Sequence, residues 1–190
     1  MGIYTTYPYS PEWPRRLYTL SAGARANIEA ENNTQYRPVH WVAQTGKLEA
    51  LKILIRAKAR IEAQDKQGLT PLARAVAHGH ADCVHYLLAQ KANIETEDNT
   101  QYRPTHWAAQ AGKLEALKVL IEANVEIEAQ TRWGTPLVRA AANGHANCVR
   151  YLLAQKASVE TENNTQYRPV HWAAQAGKLK CLKILVEAKA

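Results

Sequence analysis

Five positions spaced 33, 33, 32 and 33 residues apart alternate between an indole and a guanidinium: Trp41, Arg74, Trp107, Arg139 and Trp172. Shortly before them stand Tyr36 with Arg37, Tyr102 with Arg103, Tyr167 with Arg168, and the pair Arg132 and Trp133. Arg, Trp and Tyr supply large rigid contact area, stacking planes and bidentate hydrogen bonds, which is the chemistry of recognition rather than of bond making. Catalysis has little to work with. Serine occurs only at Ser10, Ser21 and Ser158 and aspartate only at Asp65, Asp82 and Asp98, with no nucleophile elbow, HExxH motif or phosphate-cradling glycine loop. No catalytic residue is assigned, and the chain is not expected to be an enzyme.

Metal and thiol chemistry are equally poorly served. His40, His106 and His171 recur at one position of the repeat, so they stand too far apart to share a zinc ion at about 2 Å per ligand. The cluster of His78, His80 and His85 is looser still, and no metal site is expected there. Cys83, Cys148 and Cys181 form no CxxC pair and occupy the same place in apolar runs, as small core residues in a reducing compartment would. Glu29, Glu62, Glu95, Glu128 and Glu160 also recur at one position, giving an acidic strip rather than a paired-carboxylate site.

The elements that carry these residues follow from the same period. Proline recurs at Pro38, Pro71, Pro104, Pro136 and Pro169, and glycine at Gly46, Gly79, Gly112, Gly144 and Gly177. Proline suits the first turn of a helix, where no donor is needed and φ is preset, and glycine marks the tight turn to a second helix. Apolar residues in those second segments keep helical spacing, as at Leu114, Leu117, Leu120 and Ile121. Each unit therefore reads as turn, helix, turn, helix, and one such pair cannot bury its apolar face unless neighbours stack on it.

The T-P-L-H-x-A-A…G-H pattern at this period resembles the ankyrin repeat, from about residue 14 to the C-terminus. It is carried by Arg37-Pro38-Val39-His40, Thr70-Pro71-Leu72-Ala73, Arg103-Pro104-Thr105-His106, Thr135-Pro136-Leu137-Val138 and Arg168-Pro169-Val170-His171. The resemblance implies an all-α repeat solenoid with β-hairpin fingers between units and a concave face of fingers and first helices. It also implies protein–protein recognition without cofactor or catalytic residues, and inter-repeat hydrogen bonds from His40, His106 and His171. The chain divides into a Tyr/Pro-rich tail or cap (1–13), a degenerate leading half-repeat (14–31) and five repeats in 32–190. These five units span 32–64, 65–97, 98–130, 131–162 and 163–190.

Departures from the family pattern carry further expectations. No unit has both the Thr and the His of T-P-L-H. Where the family places glycine after the second helix, Arg25, Lys58, Lys91, Asn124, Lys156 and Lys189 stand, so that turn must hold a non-glycine residue near positive φ or close differently. Unit four has lost a residue between Gly134 and Thr135, which should shorten its finger. The sequence Asn33-Thr34-Gln35-Tyr36-Arg37-Pro38 recurs from Asn99 and from Asn164, while units two and four differ, making an A-B-A-B-A series. Such close copies fit recent duplication and a designed sequence alike.

Composition bounds the rest. At 190 residues, 46 % of them hydrophobic, the chain can bury a core and is not a disordered tail. Its formal charge of +7 favours an acidic partner or nucleic acid. No apolar run is long enough for a signal peptide or membrane span, so an intracellular, most simply cytoplasmic, address is expected and no membrane partner. The leading expectation is a protein partner with an acidic or aromatic-accepting surface, gripped by Tyr36, Arg37, Trp41, Arg74, Tyr102, Arg103, Trp107, Arg132, Trp133, Arg139, Tyr167, Arg168 and Trp172. The tryptophans at the ladder position serve packing as well as binding. Alternatives are single-stranded nucleic acid or nucleotides on the same residues, and a structural or designed solenoid that self-associates through its uncapped C-terminal repeat.

Overall fold

Each first helix opens on a proline and each second helix follows within three residues of its glycine turn, and this pattern repeats five times in the computed structural model, which describes residues 27–188. The tail or cap at 1–13, most of the leading half-repeat, Arg25 and Lys189 lie outside the described residues. The first helices are α1 (Pro38–Gln44), α3 (Pro71–His78), α5 (Pro104–Gln110), α7 (Pro136–Asn143) and α9 (Pro169–Gln175). The second helices are α2 (Leu48–Arg56), α4 (Ala81–Ala89), α6 (Leu114–Glu122), α8 (Ala146–Ala154) and α10 (Leu179–Glu187). At seven to nine residues each, none is long enough to persist alone. Stability has to come from stacking.

First helices stack on first helices, α1 through α9 in chain order, and second helices form a parallel layer behind them. One continuous core runs between the layers, with Leu51, Leu72, Leu87, Leu117, Leu137 and Leu152 fully enclosed. Cys83, Cys148 and Cys181 are buried in this core as free thiols, and burial pushes the Cys148 thiol up to about 11, with the neighbouring Cys181 adding to the shift. Such a thiol stays protonated and inert.

The two unit types start their first helices differently. In units two and four, Thr70 Oγ1 accepts the Ala73 N–H at 3.2 Å and Thr135 Oγ1 the Val138 N–H at 3.5 Å, the ordinary N-cap bond. In the A units the histidine replaces that cap: Arg37 N–H donates to His40 Nδ1 at 3.0 Å, Arg103 N–H to His106 Nδ1 at 3.3 Å and Arg168 N–H to His171 Nδ1 at 3.0 Å. Since Nδ1 accepts, the proton sits on Nε2. His40 Nε2–H donates to the Ala63 carbonyl at 2.9 Å and His106 Nε2–H to the Ala129 carbonyl at 3.0 Å, tying the first helix to the loop that leads into the next unit.

The post-helix turns keep positive φ on non-glycine residues, at Lys58 (71°), Lys91 (65°), Asn124 (61°) and Lys156 (67°). The fingers are tighter than hairpins. Among the described residues there is no strand, only an isolated bridge between Thr131 and Gly134. Each A finger closes by a hydrogen bond across four residues, as from Asp98 N–H to the Tyr102 carbonyl at 2.9 Å, whereas the shortened finger of unit four closes from Thr131 to Gly134.

Candidate binding surface

The fingers are built on their first residue. Asp98 Oδ1 accepts the N–H groups of Thr100 and Tyr102 at 2.8 and 2.9 Å, and Asn32, Asp65 and Asn163 do the same in their own units. Where that residue is an aspartate, its second oxygen reaches the ladder position. Trp107 Nε1–H donates to Asp98 Oδ2 at 2.9 Å, and Arg74 donates to Asp65 Oδ2 from Nε at 2.8 Å and Nη2 at 2.5 Å. Asn163 offers an amide N–H₂ at the same place, which cannot accept. Accordingly Trp172 Nε1 is buried without a hydrogen-bond partner among the described residues.

The ladder runs along the first helices with its five side chains half-buried. Arginines from B units lie over tyrosines from the A units before them. The Arg74 guanidinium sits 5.0 Å from the Tyr36 ring centroid and Arg139 sits 5.5 Å from that of Tyr102. Each tyrosine also meets its own unit's Trp edge-on, Tyr36 with Trp41 at 5.0 Å and Tyr102 with Trp107 at 5.5 Å.

The clamp residues are therefore not all on the surface. Tyr36 and Tyr102, both expected to grip a partner, keep only 7 % and 5 % of their area exposed. Burial pushes the Tyr36 hydroxyl up to about 12, and it bonds to the Gln44 side chain. The cause is the neighbouring unit, which lays a first helix and its arginine over them. Tyr167 remains 44 % exposed and Trp133 39 %, the latter with the Arg132 guanidinium 4.5 Å from its ring.

The finger arginines of the A units are ion-paired. Arg37 pairs with Glu29 and Glu31, Arg103 with Glu95 at 3.1 Å, Glu97 at 3.2 Å and Glu126 at 2.5 Å, and Arg168 with Glu160 at 2.6 Å and Glu162 at 3.0 Å. What sequence reasoning missed is the second task of the recurring glutamates. Glu29, Glu62, Glu95 and Glu128 each accept a backbone N–H from the following unit, at Arg60 (2.8 Å), Asn93 (2.8 Å), Glu126 (2.9 Å) and Ser158 (2.9 Å). The acidic strip is a set of inter-repeat fasteners. Its strict period was the available signal, since solubility alone imposes no register.

His80 and His145 are also structural. Their Nε2–H groups donate to the carbonyls of Gln44 at 2.8 Å and Gln110 at 2.9 Å, and their rings lie against Gly46 and Gly112, where a Cβ would collide with the imidazole. Both glycines also hold positive φ. Among the described residues no cluster of histidine, cysteine or carboxylate side chains could hold a metal ion, and no helix is long and apolar enough to cross a membrane. The lysines lie mostly behind, where Lys52 and Lys118 pair with glutamates one turn earlier at 2.7 and 2.9 Å.

What this arrangement can do is bind. It presents a rigid row of half-buried indoles and guanidiniums, with exposed aromatic and cationic tips at fingers four and five. A family model described as ankyrin repeats, in three copies, matches residues 16–100, 39–132 and 105–190. No curated protein matches the chain.

Proposed function

This chain belongs to the ankyrin-repeat family, and from that premise we propose that it is a protein-recognition module whose partner seats on the fingertips and the first-helix ladder. Ankyrin repeats generally mediate protein–protein interaction, and their domains are typically non-enzymatic. The observation that carries the finer reading is the pairing of an exposed aromatic with an arginine on adjacent fingers: Trp133 with Arg132, and Tyr167 with Arg168. Large aromatics and arginine dominate the energetics of protein interfaces, and here they stand on short fingers that lead directly into stacked helices.

Within the proposed surface the members divide by reach. Arg132, Trp133, Tyr167 and Arg168 meet the partner first, and Trp41, Arg74, Trp107, Arg139 and Trp172 offer their exposed edges along the groove. Arg37 and Arg103 present glutamate-paired guanidiniums, while Tyr36 and Tyr102 support the arginines above them from below. The ion pairs of Arg37, Arg74, Arg103 and Arg168 count against phosphate binding, because a single-stranded nucleic-acid site tracks the backbone with a run of free cations, and of this surface's arginines only Arg132 and Arg139 remain without a carboxylate among the described residues.

The test is capture from lysate, with and without nuclease, using the native chain and an Arg132→Ala/Trp133→Ala/Tyr167→Ala variant whose far-ultraviolet circular dichroism is unchanged. A discrete protein that resists nuclease and is lost from the variant is the expected result. Recovery of nucleic acid that nuclease removes would replace this reading with the nucleic-acid one, and equal capture by both chains would move the site off the fingers.

A further inference from the structure

The two B units put an arginine at the same ladder position and supply it differently. In unit two, Arg74 is neutralised from within: Asp65 Oδ2 accepts from Nε and Nη2 at 2.8 and 2.5 Å, and Gln67 Oε1 accepts from Nη2 at 2.7 Å. In unit four, Thr131 stands where unit two has Asp65, and the finger is one residue shorter. Thr131 Oγ1 accepts the Trp133 N–H at 3.1 Å and so does the turn-forming half of the aspartate's work. It cannot do the other half, because a hydroxyl brings no charge.

Arg139 consequently turns to a neutral group, donating from Nε and Nη2 to Gln110 Oε1 at 3.2 and 2.7 Å. Among the described residues no carboxylate lies within 4.0 Å of its guanidinium, nor of that of Arg132, whereas Arg37, Arg74, Arg103 and Arg168 all have one. The cost is visible: burial pulls the Arg139 guanidinium below its ordinary range, with only Tyr102 opposing it. Burial raises the Tyr102 hydroxyl, with the charge of Arg139 opposing the shift from 5.5 Å off the ring centroid, the Asp98 carboxylate adding to it and Arg132 opposing it more weakly. A half-buried guanidinium with unused donors and no counter-charge is the complement of an anion.

We infer that unit four is a carboxylate-recognition site, in which Arg139 takes an Asp or Glu side chain of an acidic peptide whose neighbouring residues pack on the exposed Arg132–Trp133 fingertip of the same unit. The site rests on the protein-recognition reading and narrows its partner to an acidic segment. Carboxylate is favoured over phosphate by the chain's own precedent, since the group that satisfies the equivalent Arg74 is an aspartate.

The test is titration of the isotopically labelled full chain with the capped peptide Ac-EEYEE-NH2, following the arginine Nε–H and tryptophan indole resonances, with Ac-QQYQQ-NH2 and an oligothymidylate as comparison probes. Arg139→Gln removes the cation, and Thr131→Asp supplies the internal acid that unit two already has. Both variants are expected to weaken the acidic peptide by at least about tenfold while circular dichroism stays native, and the amide peptide to bind the native chain at least about tenfold more weakly. Affinity unchanged in both variants overturns the assignment, as does absence of acidic-peptide binding to the native chain. Tighter saturation of the same resonances by oligothymidylate overturns it in favour of phosphate. If the lysate partner described above is held equally by both variants, protein recognition stands and the carboxylate site alone falls.

Discussion

His106 is satisfied only as the neutral imidazole: Nδ1 accepts from Arg103 N–H and Nε2–H donates to the Ala129 carbonyl. Burial pushes it down to about 4, and burial likewise lowers His40. Between pH 4 and the ordinary histidine value near 6.5, the unfolded chain therefore binds more protons than the native one, so stability rises with pH across that window and is fully present above it. At pH 4 the loss from His106 alone is on the order of 3 kcal/mol. Urea midpoints should fall steadily from pH 7 to pH 4.5, and the slope should flatten in a His106→Gln variant; equal slopes would show that carboxylates carry the whole acid response. The role of these histidines was legible in the sequence because the family pattern places them. The burial of Tyr36 and Tyr102 was not, because it is decided by Arg74 and Arg139, residues 38 and 37 positions later in the chain.

Turns at the scale of the element carry strain that can be relieved. Besides the four post-helix residues, Gln35, Gln101 and Gln166 hold φ of 57°, 65° and 62° at the finger position where unit two has Gly68 and unit four has Gly134. A non-glycine side chain there costs about 1 kcal/mol or more, part of which glycine returns through its larger unfolded-state entropy. Gln101→Gly should raise the urea midpoint by an amount equivalent to about 0.5–1 kcal/mol with an unchanged m-value. A fall would mean that the glutamine side chain holds the finger in place. Positive φ after the second helices was readable because the family's glycine is missing at a fixed position. The finger position had an equal signal, Gly68 and Gly134 against three glutamines, visible only when A and B units are set side by side.

Across the whole molecule the fingers form a row that is joined at one end and broken at the other. Lys66 N–H donates to the Thr34 carbonyl at 2.9 Å and Asn99 N–H to the Gln67 carbonyl at 3.1 Å, fastening fingers one, two and three. Among the described residues no backbone hydrogen bond links the shortened finger four to its neighbours. Amide exchange should therefore be slow at Lys66 and Asn99 and at least about tenfold faster at the equivalent Arg132 and Asn164. Uniform protection along the row would show that the break closes in solution. The break lies beside the exposed Trp133, where a partner is proposed to enter, and the sequence hinted at it through the single deleted residue.

The alternation of unit types has a consequence for how such an array changes length. Arg74 covers Tyr36 and His80 fills the hollow at Gly46 only because a B unit follows an A unit. Two A units in succession would set Lys47-type side chains where the imidazole belongs and leave the tyrosine without its cation. Unequal recombination between the near-identical A copies adds or removes an A and a B together, so every junction it creates already exists in the parent. Copy number can thus change in steps of two without a new seam, whereas a step of one would create an A–A or B–B junction that the array does not contain.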